Sequence, residues 1–215
     1  MRSGWTIRCG ALTTLALLTG CSDKPSLRES YPVQWQACDT LYGSKNMKLV
    51  RDGDGSDGLR FTNEPLSVDG LRNELVEEVV NWSPNRKYYS LKEYQPCALS
   101  GDSGLSSTVE WAKDNLKAVR SASSPWRPAG GDVYADHHHS ASGRDTDAIF
   151  PCKISGTDGA QEARIPLEVR VRTRALKVSA DLHERLVVTL ARSLRNELKC
   201  TNAPQIPDDL ALSEE

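Results

Sequence analysis

The sequence predicts an α+β fold: two pseudo-repeated halves with antiparallel strands, helices packed on one face, and two disulfides. Three observations lead there. A nine-residue pattern occurs twice, as PCALSGDSG at 96–104 and PCKISGTDG at 151–159, matching at proline, cysteine, an aliphatic residue, serine, glycine and a final glycine. Apolar residues recur at helical spacing toward both ends of the chain. Four cysteines, Cys38, Cys97, Cys152 and Cys200, remain once an N-terminal leader and its border cysteine are set aside.

Each copy of the pattern reads as a strand ending in a Ser-Gly turn, followed by alternating residues. These are Val109 and Trp111 in the first copy, then Ile165, Leu167, Val169 and Val171 in the second, so a hairpin is expected twice. The serine-, proline- and glycine-rich SASSPWRPAGG at 121–131 reads as a linker between an N-terminal half, 33–120, and a C-terminal half, 132–207, with a flexible tail at 208–215. In VDGLRNELVEEVVNW, Leu71, Leu75, Val76 and Val79 follow a helical period that SPN ends. Leu182, Leu186, Val187, Leu190, Leu194 and Leu198 make a wider stripe, with Asp181 and Glu184 placed as a capping box. WQACDTLYG reads as a short helix burying Trp35 and Leu41.

Four cysteines allow three pairings, and spacing alone does not choose among them. The repeat gives each half one cysteine on a hairpin strand and one on a helical element, which predicts Cys38 with Cys97 and Cys152 with Cys200. Each bridge closes a loop of roughly 50 to 60 residues, worth about 4 kcal/mol in the chain-entropy model.

The first twenty residues have the form of an export signal. Arg2 and Arg8 supply positive charge, and residues 11–18 form an apolar core too short to span a bilayer comfortably. The exit, Leu18-Thr19-Gly20-Cys21, resembles the bacterial lipobox. Small residues there suit a narrow protease cleft, and the Cys21 thiol would receive a diacylglyceryl group and become the first residue of the mature chain. Signal peptide 1–20 is then followed by a tether, 21–32, reaching about 40 Å when extended. Two acyl chains hold a protein stably at a membrane, where one would be marginal. The expected location is the extracytoplasmic face of the bacterial cytoplasmic membrane.

Composition is that of a globular protein: 38% hydrophobic residues, to which 15 glycines in 215 residues add enough to reach the usual range. A net charge of −2 argues against a nucleic-acid partner. No CxxC is present to suggest a zinc ribbon or a thioredoxin-like site. WQACDTLYG, the two PCxxSG turns and the ending ARSLRNELKCTN before Pro204 and Pro207 resemble a family of uncharacterised secreted lipoproteins of actinobacteria, chiefly streptomycetes. The resemblance covers nearly the whole mature chain and implies the outer face of a Gram-positive cytoplasmic membrane. It implies no activity or catalytic residue.

Four stretches have letters that suit chemistry. Asp52, Asp54 and Asp57 in RDGDGSDGLRFTNE are hard oxygen ligands in a glycine-rich segment, yet in EF-hand register Asp57 falls where glycine is needed and Asn63 where the bidentate glutamate belongs. In YADHHHS, His137 and His139 would share one strand face, with Asp136 and His138 on the other, and could begin a zinc or copper site, with His183 the only histidine outside this run. DLHERLV fails as HExxH because Val187 stands where the second histidine is needed, leaving His183 and Glu184 as first-turn polar residues. In ARIPLEVRVRTR, Arg164, Arg170, Arg172 and Arg174 share an outer face with Glu168, as a row that could meet anionic headgroups or wall polymer or lie solvated at a sheet edge. SGDSG resembles a serine-protease turn, but its second copy, SGTDG, lacks the serine.

The sequence thus points to a lipid-anchored, non-enzymatic interaction or envelope-accessory module with no cofactor, its partner an envelope protein or wall polymer. A small-ligand or metal-ion binding lipoprotein is the alternative.

Overall fold

The computed structural model describes residues 26–54, 59–84, 91–102, 104–140, 143–174 and 177–211. The elements in chain order are α1 (Leu27–Ser30), α2 (Pro32–Tyr42), α3 (Ser44–Asp54), β1 (Arg60–Phe61), α4 (Val68–Val80), β2 (Tyr94–Ser100) and β3 (Leu105–Trp111). There follow α5 (Leu116–Val119), β4 (Arg127–Gly130), β5 (Val133–Ser140), β6 (Gly143–Phe150), α6 (Gln161–Arg164), β7 (Leu167–Thr173) and α7 (Ala180–Glu197). The class is α+β: the strands form one antiparallel sheet in the order β1-β2-β3-β7-β6-β5-β4.

Alternation along the strands gives the sheet two different faces. Leu105, Val109 and Trp111 of β3, Leu167, Val169 and Val171 of β7, and Ala148 and Phe150 of β6 enter the main core. Helix α7 covers β6 and β7, α2 lies on β2, and α4 lies on β2 and β3. The stripe on α7 buries Leu182, Leu186, Val187, Leu190 and Leu194. Its N-cap is Ser179, whose hydroxyl accepts from the Leu182 amide at 3.2 Å, so the expected Asp181–Glu184 capping box is not the cap. Ser179 has the extended backbone a cap needs, while Asp181 sits inside the first turn facing the positive helix end.

On the opposite face, Ala112, Leu116, Val119, Trp126 and Ile149 form a second small cluster with Tyr134 against it. It roofs the end of that face around Ile149.

Cys38 on α2 is bonded to Cys97 on β2, and Cys152, just beyond β6, to Cys200, just beyond α7. These are the pairs that the layout of the two halves predicts, although the halves themselves look different. The first PCxxSG copy lies on β2, whereas the second is irregular backbone between β6 and α6. There the Ile154 amide donates to Gln161 Oε1 at 3.0 Å and its carbonyl accepts from the Thr157 hydroxyl at 2.7 Å, so these groups are not available to a strand ladder. β7 pairs with both β3 and β6, which joins the two segments in one sheet and makes β7 a central strand rather than the expected edge. Pro166 precedes β7 and needs no ladder amide; its carbonyl accepts from Ala112.

Three connecting segments are more ordered than their composition suggests. Residues 121–131 contain β4 and the turn into β5, where Gly131 has φ +53° and an added Cβ would lie 2.2 Å from the Gln205 carbonyl oxygen. The Asp132 amide donates to that oxygen at 2.8 Å, and the Gln205 amide donates to Asp132 Oδ2 at 2.7 Å. In the expected tether, Ser26 caps α1, and Leu27 and Tyr31 pack on the core. In the expected tail, Leu210 is buried and the Ala211 amide donates to the Ala129 carbonyl at 3.0 Å.

Candidate functional site: the open face of the sheet

Outward-facing positions of β3, β7, β6 and β5 line up in rows set by the register. One row runs Glu110, Glu168, Ile149, Tyr134; the next Thr108, Arg170, Asp147, Asp136; the third Ser106, Arg172, Asp145, His138. The apolar end of the first row lies under the second cluster, and the other positions form a charged field.

Arg170 binds Asp147 through both guanidinium arms, with Nη2 2.9 Å from Oδ2, and reaches Glu168 Oε1 only at 3.5 Å. Arg172 Nε lies 2.5 Å from Asp145 Oδ2, while Asp145 Oδ1 is buried with no hydrogen-bond partner among the described residues. His138 Nε2 is 3.2 Å from Asp136 Oδ2. Glu110 is only 8% exposed, and its carboxylate has no ion-pair or hydrogen-bond partner among the described residues. Lys113 and Arg170 act on it from beyond ion-pair distance.

Burial raises the pKa of several of these carboxyls. Glu168 is pushed up to about 7, by burial first and then by the neighbouring charges of Asp147 and Glu110. Glu110 is raised chiefly by burial. Asp147 is raised by burial against the pull of Arg170, whose own guanidinium is held more firmly charged by the hydrogen bond to Asp147. The two-armed contact keeps that pair ionic at neutral pH.

Of the four arginines expected on one outer face, the structure brings Arg170 and Arg172 together there. Arg164 lies on α6, because the strand begins only at Leu167, and Arg174 follows the end of β7, its side chain lying close over Gly104. With Arg170 and Arg172 committed to carboxylates, the face is not a free cationic row.

Asp52 and Asp54 belong to helix α3 rather than to a turn, and Asp52 pairs with Arg51 at 3.4 Å; Asp57 lies outside the described residues. Ser103 and Cys21 lie outside them too. Among the described residues no group of three His, Cys, Asp or Glu side chains is placed to hold a metal ion.

His137 and His139 are two apart on β5; the side chain of His139 lies outside what is described. His183 lies in the first turn of α7 as expected but is fully buried against the sheet, with ring centroids of His137 and His183 6.1 Å apart. The Thr146 hydroxyl bridges them, 2.5 Å from His137 Nδ1 and 2.9 Å from His183 Nε2, and the Thr173 hydroxyl lies 2.8 Å from His183 Nδ1. This network ties β5, β6 and β7 to α7.

Sequence reasoning missed the carboxylate side of the open face. The signal was the alternation of Asp145 and Asp147 on one strand against Arg170 and Arg172 on another, which becomes a pattern only once those strands are known to be neighbours.

Comparison of the chain with protein-family models, curated proteins and solved structures finds no match. Its class is therefore defined by its own geometry: a disulfide-bonded α+β domain whose sheet carries its long helices on one side and, among the described residues, a charged face partly roofed by a second cluster on the other.

Proposed function

We propose that this chain is an extracytoplasmic lipoprotein, anchored through a lipidated Cys21, that acts without catalysis by presenting the open face of its sheet to a protein partner. The observation that carries the reading is the one-sided covering of the sheet, which leaves a charged field of cross-strand pairs on four neighbouring strands. Glu110, Glu168, Asp136, Asp145 and Asp147 outnumber Arg170 and Arg172 there, which favours a protein over an anionic wall polymer.

Two disulfides suit an oxidising compartment. No helix among the described residues is long and apolar enough to cross a membrane, so attachment falls to the lipid. With the fold beginning at Ser26, the five residues from Cys21 span at most about 18 Å, which keeps the domain close to the bilayer.

The test is crosslinking of the lipidated protein on intact cells, with mass spectrometry of what is captured and a secreted Cys21→Ala form as control. One reproducible protein partner, lost in the control, is the expected result. Capture of lipid and wall material alone overturns the reading.

A further inference from the structure

The open face contains an electrostatic arrangement that the fold does not complete by itself. Glu110 and Glu168 are direct cross-strand partners in the β3–β7 ladder. Like charges placed directly opposite one another destabilise a sheet. Elsewhere on the face the carboxylates are answered: Asp147 by Arg170, Asp145 by Arg172, Asp136 by His138. Glu110 is 8% exposed, faces this field and has no ion-pair or hydrogen-bond partner among the described residues, and burial raises its pKa, so its charge is only partly solvated. Arg170 holds Asp147 through two bonds and touches Glu168 only at 3.5 Å, and it makes no ion pair with Glu110.

We propose that the Glu110–Glu168 pair is the seat for a lysine or arginine side chain of a basic protein segment laid across β3, β7 and β6. The inference rests on reading the open face as the interaction surface, and it names the partner's chemistry. A single cation between two facing carboxylates relieves their repulsion and supplies the hydrogen bonds Glu110 lacks. An organic cation fits better than a divalent metal, since no group of three ligating side chains is placed to hold one among the described residues. A protein segment fits better than a free amine, because an open sheet face is broad where small ligands need enclosure. The surrounding excess of carboxylates favours further basic residues along the same segment.

The probe is an octalysine peptide, titrated at about 0.15 M salt into the protein purified from its membrane in detergent, with octaglutamate and free lysine as parallel arms. Octalysine is expected to bind and to shift backbone resonances of β3 and β7, and Glu110→Gln with Glu168→Gln is expected to weaken it at least tenfold. Asp69→Asn, which removes an exposed carboxylate on α4, should leave binding unchanged. Loss of a like-charge pair should not impair folding, and a thermal melt of the double variant checks this. Equal octalysine binding by wild type and double variant, no binding by wild type, or equally tight binding of octaglutamate overturns the proposal; tight binding of free lysine replaces the protein segment with a small amine and overturns it as stated. Capture on cells separates the two readings. A partner captured equally by wild type and double variant leaves the interaction module standing and removes this seat, whereas no partner for wild type removes the module itself.

Discussion

The indole Nε1 of Trp111 donates a hydrogen bond of 2.9 Å to the main-chain carbonyl of Leu75, so the last residue of β3 is fastened to the middle of α4. Both residues are fully buried, and the bond crosses from sheet to helix layer. Trp111→Phe keeps an aromatic ring but removes the indole donor and leaves a small cavity, while the Leu75 carbonyl keeps its place in the α4 hydrogen-bond ladder. The expected loss is about 2 to 4 kcal/mol, read as a lower urea midpoint at unchanged slope. A midpoint equal to wild type would mean that the indole bond adds nothing to the packing of α4 on the sheet.

Gln161 is fully buried and uses its whole amide. Its Nε2 donates to the carbonyls of Cys152 at 3.0 Å and Ile165 at 3.4 Å, and its Oε1 accepts from the Ile154 amide and the Thr157 hydroxyl. One side chain therefore organises the loop that holds Cys152 against Cys200. Gln161→Leu should cost about 3 kcal/mol, because it orphans several buried groups at once. With the disulfide intact, hydrogen exchange should accelerate first at Ile154, well before the β3–β7 ladder; uniform acceleration across the sheet would contradict a local role.

That loop also marks how far the sequence can be read. Helix α7 was legible because its apolar stripe repeats over eighteen residues, and helices α2 and α4 for the same reason on a smaller scale. The cysteine pairing was legible because the two flanking motifs limit the choices. The second PCxxSG copy misled because short letter matches do not encode the partner of a strand. Gln161, ten residues beyond Pro151, diverts the backbone into side-chain hydrogen bonds that no periodicity reveals. Residues 121–131 and 208–211 read as linker and tail, since glycine and proline mark a turn packed on Gln205 as readily as a free connection. The charged face depends on which strands are neighbours, and that is tertiary information. Glu110 alone between Val109 and Trp111 reads as an ordinary outward residue; that it stands directly opposite Glu168 follows only from the β3–β7 register.

Thr146 has one hydroxyl proton and stands between two imidazole nitrogens. It can donate to only one of them, so at least one of the two rings presents an N–H to it. Thr146→Val keeps the shape and removes this link between β5 and α7. A loss of about 1 to 3 kcal/mol is expected, together with a change in imidazole nitrogen shifts at both His137 and His183. A change at only one ring would show that the histidines are not coupled through this hydroxyl.

The carboxyl pair on the open face makes stability depend on pH. In the unfolded chain Glu168 ionises near 4.5, whereas in the fold burial, Asp147 and Glu110 keep it protonated up to about 7. Between those values the folded state holds a proton that the unfolded state has lost, so stability is highest below about 4.5 and falls as pH rises through about 7. Glu110 and Asp147 shift in the same direction and steepen the slope. For Glu168 the linkage amounts to at most about 3 kcal/mol, since each pKa unit corresponds to about 1.4 kcal/mol. Glu168→Gln is neutral throughout, so its denaturation midpoint should lie above wild type at pH 8 and converge with it at pH 4.5. Arg170→Met should do the reverse at high pH, leaving Asp147 and Glu168 without their cation and Glu110 with Lys113 alone. Its deficit should be roughly 2 to 3 kcal/mol at pH 8, moderated by partial exposure, and should shrink as the carboxyls take up protons toward pH 5. Parallel stability profiles for wild type and Glu168→Gln between pH 4.5 and 8 would mean that Glu168 ionises normally and that the facing pair is not under electrostatic tension.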